Sequence, residues 1–280
     1  MSILSFFFGL FKKKQKNYPP NDRIVLVGIN AYPTSPLRGC INDIKAAKNL
    51  LISKYNINPD CIKMLIDKDA TTGAIKEAIK WMREAKPGGI ALYYESGHGV
   101  QVPDTGKNSS EPDGLLEAFC PYDFDWTREH MLTDKDFFSL FMEIDDNVKF
   151  YWVSDSCHSG DLNRSITTAR SMPLPDHLAI IVDKLKRQSA KSIPVINREQ
   201  AKELDVGYIS ACQSNQTAAD AFIEGKPCGA FSHYFLKSLA EGYDVPLSEI
   251  CTKTESKLKT NGYNQIPTSD GPRTSNKFLG

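Results

Sequence analysis

From residue 23 onward the chain repeats one pattern, in which a short β-prone apolar run is followed by a segment with helical periodicity. In residues 71–85, for example, the apolar residues fall on one helical face. Because parallel strands must be joined by long crossovers, usually helices, this alternation predicts an α/β fold with a mostly parallel sheet. The predicted strands are residues 23–29, 61–66, 89–95, 148–154 and 206–210.

Length and composition are those of an ordinary globular protein. The 280 residues suffice for one large α/β domain, and 41% apolar with 24% charged residues is a typical balance. Lys plus Arg and Asp plus Glu number 34 each, so no basic excess indicates a nucleic-acid partner. The seven cysteines lack CxxC spacing, which favours a reducing compartment over a disulfide framework or a zinc site. We therefore expect a cytoplasmic protein.

Two of the predicted strands end at residues that can carry chemistry. Residues 148–154 lead to Cys157 among small and polar residues, and residues 89–95 lead to His98 between two glycines. Reacting groups in open α/β sheets collect just beyond the carboxyl ends of the strands. A thiol and an imidazole at two such ends indicate a nucleophile and its base. For Cys157 taken alone, a buried structural cysteine is the alternative.

The first 22 residues form a segment of different composition. Residues 3–11 are strongly apolar and residues 12–16 are rich in lysine. This run is too short to span a bilayer, and its charge follows the apolar part, unlike that of a secretory signal. Two interpretations stay open for residues 3–16: a peripheral anchor on a membrane surface, or a segment that packs on the domain or stays disordered. Residues 18–22 are typical of a linker.

The two strand ends resemble the histidine and cysteine boxes of metacaspases, in the caspase-like cysteine peptidase family. The boxes are Tyr93-Tyr-Glu-Ser-Gly-His-Gly99 and Asp155-Ser-Cys-His-Ser-Gly160. The resemblance covers nearly the whole chain and implies a caspase-like three-layer sandwich, with a sheet of about six strands and helices on both faces. Three further stretches agree in the family's order: residues 27–43, 209–220 and 229–233.

The resemblance also divides the chain. A peptidase domain is expected over residues 23–280, after the N-terminal segment 1–22. Within it, residues 23–160 resemble the large subunit of the family and residues 206–280 the small one. The intervening residues 161–205 break the strand and helix pattern and read as an irregular linker. Metacaspases are typically monomers, unlike the dimeric caspases. The resemblance therefore implies a monomer.

The chemistry of a Cys-His pair is acyl transfer. Cys157 would attack the scissile carbonyl and His98 would protonate the leaving amine, giving an acyl-enzyme that water resolves. The backbone N–H groups of Gly99 and Cys157 are the candidate oxyanion donors. His158 is a competing base because it adjoins the nucleophile, but the resemblance assigns this role to His98.

Asp43 and Asp155 bear on substrate choice. In metacaspases the matching acids line the pocket for the residue before the scissile bond, called P1, and two carboxylates there would favour Arg or Lys and repel Asp. We therefore predict protein or peptide substrates with a basic P1 residue. The alternatives are structural: Asp43 could cap a helix, and Asp155 could hydrogen-bond the loop that holds Cys157.

Calcium is an open question because only part of the acid cluster of calcium-dependent metacaspases is present. Asp123 and Asp134 match that cluster, whereas Lys135 and Arg164 stand where further acids are expected. A hard cation that wants six to eight oxygen ligands is poorly served by such replacements. We predict weak or absent calcium dependence and no required cofactor. Asp136 and Asp161 are the possible substitutes in the sequence.

Arg and Lys, the residues that the pocket should accept at P1, recur in the linker 161–205 itself. Exposed irregular segments are preferred sites of cleavage, so self-processing there is one hypothesis and a solvated surface loop is the other. Two alternatives to the whole assignment are a catalytically silent caspase-like scaffold and another peptidase of the same fold with different specificity. The basic residues of the linker are Arg164, Arg170, Lys184, Lys186, Arg187, Lys191 and Arg198.

Overall fold

The computed structural model describes residues 21–105, 114–157, 168–188, 204–213, 216–242 and 244–280. Its strands are β1 (Arg23–Gly28), β2 (Ile62–Ile66), β3 (Ile90–Ser96), β4 (Gly99–Pro103), β5 (Leu115–Phe119), β6 (Leu132–Thr133), β7 (Lys149–Asp155), β8 (Thr168–Ala169), β9 (Val206–Ser210), β10 (Ala219–Ile223), β11 (Lys226–Gly229) and β12 (Thr268–Asp270). Its α-helices are α1 (Cys40–Ser53), α2 (Thr72–Met82), α3 (Asp134–Phe141), α4 (Asp176–Gln188), α5 (Ala230–Glu241) and α6 (Leu247–Thr260).

One six-stranded sheet forms the centre of the fold, in the order β12-β9-β7-β3-β1-β2. The five strands from β9 to β2 pair in parallel, and β12 joins the edge antiparallel to β9. The predicted mostly parallel α/β sheet is therefore confirmed, and the five strands predicted from the sequence all lie in it. Two small antiparallel sheets, β4-β5-β6 and β11-β10-β8, stand beside the central sheet.

Helices cover both faces of the sheet, so the fold has three layers. Helices α2 and α3 bury Ile75 and Phe137 against one face, where Val25 and Val27 of β1 point. The opposite face is covered by α1, α5 and α6. Alternate residues of β1 enter the two clusters because successive strand side chains point to opposite faces. This alternation explains why the central strands read as continuous apolar runs.

Two features differ from the sequence predictions. The small sheets and β12 were not predicted, because their strands are short and carry no long apolar run. The stretch 161–205, interpreted as irregular apart from one helical patch near 177–187, contains the short strand β8 in its described part, and α4 coincides with that patch. At the start of α3, Thr133 forms a capping box: its hydroxyl accepts from the N–H of Asp136, whose carboxylate accepts from the N–H of Thr133.

The described fold does not test the predicted membrane contact of residues 3–16. No helix within the described ranges is long and apolar enough to cross a bilayer. The apolar and basic residues 3–16 lie outside those ranges, so their proposed anchoring role stays a prediction.

Phe141 anchors the aromatic cluster between α3 and the sheet. Its ring packs against those of Tyr93, Phe150 and Trp152 and is 1% exposed. We predict that Phe141→Ala lowers the free energy of unfolding by about 3–5 kcal/mol, because it leaves a cavity in a filled core. Denaturant unfolding measures this change. The adjacent Met142 is 49% exposed, so Met142→Ala is the matched control and should stay within about 0.5 kcal/mol of the wild type. Equal effects of the two substitutions would contradict the packing described here.

Candidate active site

His98 lies in the tight connection between β3 and β4, and its side chain is buried. Its Nε2 atom lies 2.6 Å from the carbonyl oxygen of Ser35. Because a carbonyl oxygen only accepts, Nε2 carries the proton and Nδ1 is the basic nitrogen. The hydroxyl oxygen of Tyr32 accepts a hydrogen bond from the backbone N–H of His98 at 3.0 Å, and the two rings pack with centroids 4.7 Å apart. The imidazole is thus held in one orientation and one tautomer.

The charge state of His98 follows from its burial. Burial lowers the pKa of His98 to about 4, although hydrogen bonds with the backbone of Ser35 and Arg170 oppose this change. The imidazole is therefore neutral at pH 7. A neutral imidazole can accept the proton of a thiol, as a general base must.

Cys157 stands at the end of the neighbouring strand, β7. In the parallel register Ser96 pairs with Asp155, so His98 and Cys157 each lie two residues beyond a paired position. The thiol is buried, and it donates a hydrogen bond to the carbonyl oxygen of Gln216 at 3.1 Å. The structure therefore brings the predicted nucleophile and base to adjacent strand ends.

The backbone carbonyl of Arg170 occupies the point between them. Its oxygen accepts hydrogen bonds from the N–H of Gly99 at 3.0 Å and from the N–H of Cys157 at 3.2 Å. These are the two N–H groups that the sequence analysis named as oxyanion donors. A scissile carbonyl held by these two candidate donors would lie at the position of the Arg170 carbonyl.

The side chain of Arg170 fills a buried acidic pocket. Its Nη2 atom lies 2.7 Å from the carboxylate of Asp43 and 2.9 Å from that of Asp220, and Nη1 lies 2.8 Å from that of Asp155. Nη1 also donates to the hydroxyl of Ser96 at 2.8 Å. All four charged groups are buried. A buried guanidinium is tolerated only with such a set of partners.

Asp43 does not cap α1, contrary to one alternative drawn from the sequence. The helix begins at Cys40, and Asp43 points inward from its first turn. Besides Arg170, its carboxylate accepts from the backbone N–H of Gly229 at 2.9 Å. Burial raises the pKa of Asp43 to about 6, against the opposing charge of Arg170.

Asp155 likewise faces the pocket rather than the loop that carries Cys157. Its carboxylate accepts hydrogen bonds from the backbone N–H and the hydroxyl of Ser232. A Cβ at Gly229 would come within 2.2 Å of this carboxylate and 2.4 Å of the Arg170 Nη1 atom. The position therefore has to be glycine for the pocket to hold a guanidinium.

Asp220 is the pocket residue that the sequence analysis missed. It lies in β10, in the stretch 209–220 that carried the resemblance, but no role was assigned to it. Its carboxylate also accepts from the backbone N–H groups of Arg38 and Gly39, which ties β10 to the turn before α1. The sequence did offer one signal for Asp220, because this residue ends a stretch that resembles the family. Asp220 is far along the chain from both boxes, so no local pattern connected it with the pocket.

Residues 168–172 lie in the site as an extended strand. Thr168 and Ala169 pair antiparallel with Asp220 and Ala219, and the N–H of Arg170 donates to the carbonyl of Ala218 at 3.0 Å. Beyond Arg170, Ser171 forms a parallel bridge with Gly99, and the N–H of Met172 donates to the carbonyl of Gly99 at 2.9 Å. Adding a strand to a sheet edge is a common way to bind a peptide.

The comparisons with known proteins agree with this geometry. A family model described as the caspase domain, of the peptidase C14 family, matches residues 22–279. The chain belongs to this caspase-domain peptidase family. It is 28% identical to metacaspase-9 of Arabidopsis thaliana, over 87% of this chain and 91% of that protein. It is 26% identical to metacaspase-1 of Meyerozyma guilliermondii, over 88% of this chain and 68% of that protein. A crystal structure of a Geobacter sulfurreducens protein has the same fold, with a TM-score of 0.66 and 25% identity over 90% of this chain and 94% of that one.

The resemblance stated from the two boxes is thus confirmed, and the protein is a cysteine-type peptidase, a hydrolase of proteins or peptides. Its acidic residues do not assemble a metal centre in the described ranges, where no group of three or more His, Cys, Asp or Glu side chains is placed to hold an ion. Asp123 accepts from the N–H and hydroxyl of Thr72 at the start of α2. Asp134 instead lines a small cavity with Glu95 and Glu117.

Lys135, which stands where the calcium cluster would have an acid, forms an ion pair with Asp104 at 2.9 Å. Asp136, one of the possible substitutes, is used by the cap of α3 and by Arg128. His158, the alternative base, and Asp161, the other possible calcium ligand, lie outside the described residues, as does Arg164.

The burial of His98 makes a prediction for pH. Because the unfolded chain binds the imidazole proton near pH 6.5 and the folded protein only near pH 4, this group lowers the free energy of unfolding as the pH falls between those values. Histidine titration by NMR on the intact Cys157→Ala protein should give His98 a midpoint near 4. The exposed His130, whose pKa is raised by its hydrogen bond to Asp125, should titrate above 6.5 and serves as the internal reference. A His98 midpoint at or above 6.5 would contradict the described environment.

Proposed function

We propose that this peptidase cleaves its substrates after Arg or Lys, with Cys157 as the nucleophile and His98 as the general base. One observation carries the proposal: the guanidinium of Arg170 sits among three buried carboxylates while its carbonyl receives the N–H groups of Gly99 and Cys157. A substrate residue with the same cation would present its scissile carbonyl to the same two donors. An acidic P1 residue would add a fourth carboxylate to the pocket and be repelled.

The proposed reaction uses the residues as placed. The neutral imidazole of His98 takes the Cys157 thiol proton, and the sulfur attacks the P1 carbonyl carbon. The oxyanion is stabilised by the N–H groups of Gly99 and Cys157, each of which contributes a factor of roughly 100 to 1,000 in rate in comparable enzymes. His98 then gives its proton to the leaving amine, and water hydrolyses the acyl-enzyme.

Specificity can be tested with peptides that differ only at P1. We expect hydrolysis of substrates with Arg or Lys and none with Asp. Asp220→Asn should lower kcat/KM for the Arg substrate roughly 30-fold or more, because removing one partner of a buried charge pair costs at least about 2 kcal/mol. Glu224→Gln is the matched control, since this neighbouring carboxylate is exposed and should leave kcat/KM unchanged. Preference for Asp at P1 would overturn the proposal.

Self-processing is the second part of the proposal. Among the described residues, the Arg170 carbonyl is the one that accepts from both candidate oxyanion donors, so the bond placed for cleavage is that between Arg170 and Ser171. This peptide segment pairs with β10 as a substrate strand would. While this segment is in place, it excludes other substrates, so its cleavage or release would open the site.

Mass analysis of purified protein tests this bond. Wild type should yield fragments that end at Arg170 and begin at Ser171, and Cys157→Ala should stay intact. Arg170→Gln should abolish this cleavage, Arg170→Lys should retain it, and Arg187→Gln on the exposed side of α4 is the control that should be processed normally. Fully active wild type without a cut would refute a processing requirement, and identical fragments in Cys157→Ala would show that another protease acts.

Calcium independence is the third part of the proposal, since Lys135 is paired with Asp104 and Asp123 is used by Thr72. Activity on an Arg peptide, measured in EGTA and then with added calcium, should stay the same. Loss of most activity in EGTA, with recovery on adding calcium, would show this proposal to be wrong.

A further inference from the structure

The candidate nucleophile has a second thiol beside it. Cys212 follows β9, the strand that pairs with β7, and its side chain is buried. Its thiol donates to the carbonyl oxygen of Gln216 at 3.4 Å, the same oxygen that receives the Cys157 thiol at 3.1 Å. A hydrogen bond with Cys157 and burial raise the pKa of Cys212 well above its usual value. Two thiols therefore meet at one acceptor.

The backbone allows these two residues to be joined. Ser154 pairs with Ser210 in the parallel register, and the N–H of Ala211 donates to the carbonyl of Ser154 at 2.9 Å. Cys157 lies three residues beyond Ser154 and Cys212 lies two residues beyond Ser210, and both side chains enter the same buried cluster. Adjacent strands are about 4.8 Å apart, within the range of Cα separations that disulfides span.

Gln216, whose carbonyl accepts from both thiols, is itself held by its side chain. The side-chain oxygen of Gln216 accepts from the N–H of Ile266 at 2.9 Å, and its amide nitrogen donates to the carbonyl of Asn264 at 3.1 Å. The shared carbonyl is thus anchored to the segment that follows α6. This anchoring keeps both sulfur atoms close together without a covalent bond.

We propose that Cys212 is a resolving cysteine, which captures oxidised Cys157 as a Cys157–Cys212 disulfide. In the first step the Cys157 sulfur attacks a hydroperoxide, giving a sulfenic acid and releasing an alcohol or water. In the second step the Cys212 sulfur attacks that sulfenic sulfur, and water leaves as the S–S bond forms. The two thiols supply the two electrons that the hydroperoxide accepts. A dithiol reductant reverses the change.

The purpose of such a pair is protection of the nucleophile. A sulfenic acid that finds no thiol proceeds to the sulfinic acid, which ordinary reductants do not restore. The effect on activity rests on the proposed role of Cys157, but formation of the bond does not. The raised pKa of Cys212 disfavours its thiolate, so Cys157, for which His98 is the candidate proton acceptor, is the thiol that a peroxide oxidises first. When the Cys212 sulfur then attacks, its proton passes to the sulfenic oxygen, which leaves as water.

The test follows the bond by mass. Wild type and Arg170→Ala, which lacks the side chain that anchors the covering strand, are treated with hydrogen peroxide, alkylated under denaturing conditions and digested. A linked Cys157–Cys212 peptide, two hydrogens lighter than its parts, should appear in both proteins and sooner in Arg170→Ala. Reduction should remove this linked peptide. Activity on an Arg peptide should recover as the disulfide is reduced.

Substitutions at two cysteine positions test whether the effect belongs to Cys212. In Cys212→Ser, and in Cys212→Ala if the first variant folds poorly, the same treatment should leave Cys157 as sulfinic acid with activity that dithiothreitol does not recover. Cys61→Ser, another buried cysteine remote from the site, should behave as wild type. Oxidation of wild-type Cys157 without a linked peptide, equal recovery in Cys212→Ser, or no oxidation of Cys157 in either protein would overturn the proposal. A protein that forms the bond but hydrolyses no peptide would instead contradict only the proposed function.

Discussion

The arrangement of the site depends on one buried cation among three buried acids. A carboxylate taken out of water is costly, and Asp43, Asp155 and Asp220 share one pocket. Arg170 offsets that cost with ion pairs to each of them. With three carboxylates around one guanidinium, the pocket is short of positive charge, and burial in addition raises the pKa of Asp43 to about 6. Such a pocket demands a cation, and the proposed preference for Arg or Lys follows from this demand.

The parallel sheet places the acidic pocket beside the candidate catalytic residues. The central strands β3 and β7 end side by side, which places His98 and Cys157 two residues beyond a paired position. Asp43 comes from the helix after β1, and Asp155 is the last residue of β7. Asp220 comes from a small sheet beside the main one, whose free edge receives residues 168–169. Ion pairing and strand pairing therefore act on the same peptide segment, and its Arg170 carbonyl accepts from the N–H groups of Gly99 and Cys157.

The sequence predicted what depends on local pattern. Apolar runs of five to seven residues placed the central strands within a residue or two, and the two boxes placed His98 and Cys157 at strand ends. What escaped prediction depends on contacts between distant parts of the chain. Asp220, the pocket acid to which no role was assigned, is 50 residues from Arg170. Likewise, nothing local distinguishes Arg170 from the other basic residues of the linker, since only the tertiary fold selects the one that enters the pocket. The short strands β4 to β6 and β8 escaped because they pair without a long apolar run.

The central claim is that Arg170 holds the place of a substrate's P1 residue. A crystal structure of the protein labelled on Cys157 by a peptide electrophile with Arg at P1 tests it most directly. The account predicts that the guanidinium of the inhibitor lies among Asp43, Asp155 and Asp220, with Arg170 displaced and the inhibitor strand paired with β10. An inhibitor bound to Cys157 while Arg170 remains in the acidic pocket would contradict it.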